Sequence, residues 1–187
     1  MKKVVLGVAV VALLFGCSAF AKNQQGRQKL GGTSGEQRIT REVRHQLLLL
    51  PYYSIFDNLE YKVEGGTVTL LGQVVNPVLK SDAQGAVKGI EGVENVVNKV
   101  EVLPPSPMDD QIRHAEARAI YGFPSLFKYS WGAVPPIHII VKGGHVTLVG
   151  VVDSESDKNA AGIQAKSVPN VFSVTNNLRV VNPNNQK

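Results

Sequence analysis

The chain has 187 residues, of which 20 are basic and 15 acidic, and a single cysteine. That length is enough for one or two small domains, and a lone cysteine excludes an intramolecular disulfide framework. The charge is uneven: residues 22–45 carry six basic and two acidic side chains, whereas residues 46–187 carry 12 and 13, so a basic leader precedes a nearly neutral body.

Residues 1–21 read as a secretory signal. Lys2 and Lys3 supply its positive end, and residues 4–15 follow without a charge, a run too short to span a bilayer but suited to a signal's apolar region. Ala19-Phe20-Ala21 before Lys22 fits ordinary signal peptidase. Leu14-Phe15-Gly16-Cys17 resembles a lipoprotein box, but bulky Phe15 sits where such signals carry a smaller or β-branched residue. Ordinary cleavage is therefore the preferred reading, lipidation at Cys17 the alternative. Removal of Cys17 with the signal would leave no thiol for disulfides or catalysis. No later stretch approaches the roughly 20 apolar residues of a membrane-spanning helix, so the mature chain is expected to be peripheral at most.

Residues 22–37, rich in Gln, Gly, Lys and Arg, are expected to form a disordered leader. Beyond them the chain repeats itself. Residues 61–102 align without a gap on residues 139–180, 78 positions later, with 15 of 42 pairs identical. A period of that length suits a small domain used twice. Ile39, Val43, Leu47 and Leu50 recur at helical spacing until Pro51, and Ile112, Glu116 and Ile120 hold the equivalent places in the second copy. Two strands follow in each, joined by Gly65-Gly66 and by Gly143-Gly144, residue pairs that accept the positive φ of a tight hairpin. Gly72 and Gly150 mark a bulge or a close backbone contact. Asn76-Pro77 in one copy and Asp153 or Ser154, followed by Glu155 and Asp157, in the other start the next helix. Gly92 and Pro169-Asn170 then end it, and a valine-rich last strand closes each copy.

The expected fold class is α+β: two tandem domains, residues 38–102 and 109–181, each ordered α-β-β-α-β with a three-stranded mixed sheet packed on two helices. Residues 103–108, Leu-Pro-Pro-Ser-Pro-Met, have the composition of a stiff linker, and residues 182–187 that of a disordered tail.

A glycine-ended valine-rich strand, a capped helix and a Val-x-x-Val-x-Asn stretch occur twice. The last reads Val93-Glu94-Asn95-Val96-Val97-Asn98 in one copy and Val171-Phe172-Ser173-Val174-Thr175-Asn176 in the other. In this order of elements each copy resembles the BON domain family. The resemblance implies residence in the periplasm or at the outer membrane, affinity for phospholipid, and a role in envelope integrity and osmotic stress. The motif residues are mainly structural, so the resemblance assigns no functional side chain.

No grouping of residues points to catalysis, metal binding or a cofactor. His45, His114, His138 and His145 lack paired spacing with carboxylates. Asp109-Asp110 at a helix start is explained by the helix dipole. The segment that stands out is aromatic: Tyr121, Phe123, Leu126, Phe127, Tyr129 and Trp131, the sole tryptophan, in a connection about five residues longer than that of the first copy. Phe127, Lys128, Tyr129 and Trp131 are expected to form an amphipathic surface that meets anionic phospholipid or an envelope protein. The competing reading is that these rings fill the core or the seam between the copies, as Tyr52, Tyr53, Ile55 and Phe56 occupy the same connection in the first. The functional expectation is a non-enzymatic envelope module; a periplasmic chaperone and a peptidoglycan or assembly module are the alternatives. Export removes nucleic acid as a partner, and neither copy has a Gly-x-x-Gly loop between helices.

Overall fold

The computed structural model describes residues 25–132 and 134–181. The signal segment with Cys17 and the tail of residues 182–187 lie outside them.

Two small α+β domains follow one another. The first contains α1 (Gln25–Leu48), β1 (Asn58–Glu64), β2 (Thr67–Val74), α2 (Pro77–Lys88), β3 (Asn95–Asn98) and β4 (Glu101–Val102). The second contains α3 (Pro107–Tyr121), a 3-10 turn (Phe127–Ser130), β5 (Ile137–Lys142), β6 (His145–Val152), α4 (Glu155–Lys166) and β7 (Ser173–Val180). In each sheet the central strand pairs antiparallel with the strand before it and parallel with the last. The last strand is continuous in the second domain and broken into β3 and β4 in the first.

Two boundaries differ from expectation. Helix α1 begins at Gln25, inside the stretch assigned to a disordered leader. Gln, Arg and Lys lose little rotamer freedom in a helix, and extending an anchored helix requires no new nucleus. The linker is shorter than residues 103–108. Leu103 is buried and its amide bonds Val74 O, continuing the β4 pairing. At the other end, Ser106 caps α3 through Asp109 N, and Pro107 takes the first turn, where its missing N–H costs nothing.

The alternation read from β2 and β6 buries one face of each. Val68, Leu70 and Val74 meet Ile39, Val43 and Leu47 of α1 and Leu79, Ala83 and Val87 of α2. Their counterparts Val146, Leu148 and Val152 meet Ile112 and Ile120 of α3 and Ala161 and Ala165 of α4. Each Val, Leu or Ile so buried contributes roughly 1.5–3 kcal/mol by leaving water.

The same devices hold both domains. Gly72 has φ 107° and Gly150 φ 127°; a Cβ there would lie 2.0 Å from Asn58 O and 1.9 Å from Pro136 O, so both positions combine left-handed backbone with a close strand approach. Asn98 donates to Lys80 O at 2.8 Å and accepts from Val100 N at 3.1 Å; Asn176 donates to Lys158 O at 2.7 Å and accepts from Leu178 N at 3.2 Å. The motif asparagine thus clamps the last strand to the second helix. Glu36 accepts from Gly65 N, and Asp109 accepts from Gly143 N and Gly144 N at 2.9 and 2.8 Å. Asp109 is almost fully buried and ties the hairpin to its helix, a task beyond the dipole contact expected of it.

The domains meet through the connection between α1 and β1. Ile55 and Phe56 pack against the core of the second domain, Ile55 O accepts from Ile139 N at 2.7 Å on the outer edge of β5, and Tyr53 stacks on His138 with ring centroids 5.5 Å apart. An exposed Lys142–Glu101 pair also crosses the joint.

Candidate functional site

The aromatic segment starts where Gly122 caps α3. The chain then turns through Phe123, whose carbonyl accepts from Leu126 N and Phe127 N, into the 3-10 turn of Phe127–Ser130. Residues three apart share a face in such a turn. Leu126 and Tyr129 consequently point inward and are buried, while Phe127 and Trp131 are 52 % and 71 % exposed. Their rings meet edge to face, centroids 5.8 Å apart.

Of the four residues expected on one amphipathic surface, Phe127, Lys128 and Trp131 are exposed and Tyr129 is buried. Tyr129 belongs to the core: its hydroxyl donates to Asp157 Oδ2 at 2.8 Å and accepts from Asp153 N at 2.7 Å. A phenol with both its donor and acceptor capacity used is anchored. Burial raises its pKa, with the Asp157 charge adding to the rise. Lys128 is exposed but not free, because its Nζ lies 2.9 Å from Asp153 and 3.0 Å from Asp157 and sits 4.8 Å above the Tyr129 ring. The hydrogen bonds to Asp153 and Asp157 push its pKa up. Burial works against ionisation of Asp157, yet the bonds from Lys128, Tyr129 and Ser154 hold its carboxyl below the usual range. Lys128 thus fixes the platform that carries Phe127 and Trp131 instead of offering a free charge. Gly65, Gly66, Gly143 and Gly144 lie in the hairpin tips.

A cation that the sequence reading passed over stands nearby. Arg118, on the exposed face of α3, lines an open cleft of about 520 Å³ with Ile55, His114, Ala117, Tyr121, Gly122, Ser130 and Pro135. It pairs with no carboxylate among the described residues. Its signal lay in helical spacing, since Arg118 is four residues after His114 and three before Tyr121. Tyr121 closes one wall, donating to Ile137 O; burial pushes its hydroxyl pKa up.

The remaining titratable groups are built into the fold. Arg113 is buried, bonded to Asp110 and, at 2.8 Å, to Val141 O. Glu116 is fully buried, neither carboxyl oxygen has a hydrogen-bond partner, and burial raises its pKa to about 8. Among the described residues no three His, Cys, Asp or Glu side chains converge on a point that would hold a metal ion. No helix among them is long and apolar enough to cross a membrane.

Comparison with known proteins agrees with this architecture. The BON domain model matches residues 35–104 and 127–182; the second match begins at the 3-10 turn, although α3 completes that domain in the structure. The chain is 30 % identical over 173 residues to osmotically-inducible protein Y of Escherichia coli (strain K12), covering 87 % of this chain and 81 % of that protein. Two solved structures of CdsD, a structural protein of the type III secretion system of Chlamydia trachomatis, align at a TM-score of 0.31. The first is 13 % identical and covers 76 % of this chain and 96 % of that one; the second is 12 % identical and covers 77 % and 92 %. That likeness is too slight to bear on function. Two matched segments, a relative along most of its length and a duplicated fold lead to one conclusion: the chain belongs to the BON domain family.

Proposed function

We propose that this protein is an exported, non-catalytic module of the bacterial envelope whose second domain docks on anionic phospholipid and so supports the envelope under osmotic stress. The single observation that carries the docking surface is the Phe127–Trp131 pair. Two large rings stand exposed on a turn anchored from beneath by Leu126 and Tyr129, and such rings gain by entering the headgroup region. Arg118 is the cation for the headgroup, in place of Lys128. The signal-like first 21 residues and the relative named for osmotic induction support the setting. On this reading the chain is periplasmic and starts at Lys22; acylation of Cys17 would add a permanent anchor to the same surface.

Flotation of the mature chain with vesicles tests the reading. Anionic vesicles should carry it upward and zwitterionic ones should not. Phe127→Ser with Trp131→Ser should weaken flotation while circular dichroism stays unchanged. Equal flotation of the double variant would remove these rings from the site.

A second reading, capture of extended polypeptide in the manner of a chaperone, draws on β7. This eight-residue strand pairs on one side with β6, and its other side is an edge of the sheet. Suppression of client aggregation without vesicle binding would favour it.

A further inference from the structure

The joint between the domains buries one imidazole in surroundings that suit a single protonation state. His138 lies on β5 beside Ile139, whose amide bonds Ile55 O at 2.7 Å. Its ring is 9 % exposed and stacks on Tyr53, and its Nδ1 has no hydrogen-bond partner. From the connection, Tyr53 and the Asp57 carboxylate face it, together with the backbone of Ser54 and Asp57. On the other side of the joint α3 contributes His114, edge to face with Phe56, while the β6 residue opposite His138 is Val149. Asp57 is already occupied: it accepts from Ser54 N, Ser54 Oγ and Val75 N at 3.0, 2.7 and 2.8 Å. A neutral ring carries a proton on only one of its two nitrogens. A second proton would put a charge in a buried place, where the Ser54 and Asp57 backbone and the Asp57 charge offset only part of the cost of leaving water.

We propose that His138 makes the contact between the two domains acid-labile: protonation of its ring releases the connection of residues 49–57 from β5 and uncovers the outer edge of that strand. Burial holds the imidazole pKa below its ordinary value, against the opposing pull of the Asp57 and Ser54 backbone and the Asp57 charge. The closed joint is therefore fully stable above the open-state pKa of about 6.5 and weakens as pH falls from there to the closed-state value. Opening frees the Ile139 amide and the Ile55 and Phe56 side chains together, which turns a covered strand edge into one able to pair with another chain.

Amide hydrogen exchange on the mature chain between pH 7.5 and 5, corrected for the intrinsic rate, reads the joint directly. Protection of the Ile139 amide should fall by up to about tenfold per pH unit below about 6.5 and then level off, while the Leu70 and Leu148 amides in the two cores keep theirs. His138→Phe, which retains a stacking ring without a titrating nitrogen, should flatten the Ile139 profile; His138→Gln should do the same and stands in if the phenyl ring disturbs the joint. Protection of Ile139 that does not change with pH, a wild-type profile in both variants, or simultaneous loss of protection in the cores would each overturn the proposal.

Discussion

Glu116 stands in the second domain where Val43 stands in the first, and both side chains are completely buried. A carboxyl group without a partner in an apolar core is tolerated only when it keeps its proton. Burial raises its pKa from 4.5 to about 8, so the folded state holds a proton that the unfolded state releases. Stability is then full below pH about 4.5 and declines as pH rises toward 8. Glu116→Gln, which imitates the protonated acid, should melt with the wild type at pH 5 and above it at pH 9, where the difference is on the order of a few kcal/mol. Parallel melting curves across that range would mean that the carboxylate finds a partner in solution.

Gly72 and Gly150 are expected to fail in the same way when replaced. Each has a positive φ and a backbone carbonyl within about 2 Å of where a Cβ would stand. Alanine at either position must move a strand, at a cost of roughly 1–3 kcal/mol or more. Chemical denaturation of the two variants checks this, and the loss should stay within the domain that carries the substitution. An unchanged midpoint would mean that the strands separate easily at this point.

Tyr129→Phe removes one donor and one acceptor without changing the ring. Asp153 N loses its acceptor and Asp157 one of its donors. The expected loss is about 1–3 kcal/mol in the second domain, with the Lys128 contacts retained. Denaturant melts followed by Trp131 emission would report it. A variant as stable as the wild type would show that the phenyl ring alone holds the turn.

The duplication made much of the fold legible, because identical glycines and asparagines recur where the backbone demands them. Gly72 matches Gly150 because each sits with positive φ against the neighbouring strand's backbone, and Asn98 matches Asn176 because each ties the last strand to the second helix. The joint was less visible. Ile55 reaches Ile139 across 84 residues, and no periodicity marks a loop that pairs with a distant strand. The candidate surface was half legible: its aromatic content was plain, but its inward face depended on partners remote in sequence. Asp153 and Asp157 lie more than 20 residues beyond Tyr129, so nothing adjacent revealed that they would hold its hydroxyl and Lys128. The spacing of Leu126 and Tyr129 was the one local sign that Tyr129 turns inward.

Emission from Trp131 tests the docking surface most directly, because it is the only tryptophan in the chain and its side chain is 71 % exposed. In buffer the mature protein should emit at the red wavelengths of a solvated indole. Anionic vesicles should shift the emission to the blue, zwitterionic vesicles should leave it in place, and Arg118→Ser should reduce the shift. Emission that stays red at saturating anionic vesicles would contradict the assignment of Phe127 and Trp131 to the membrane.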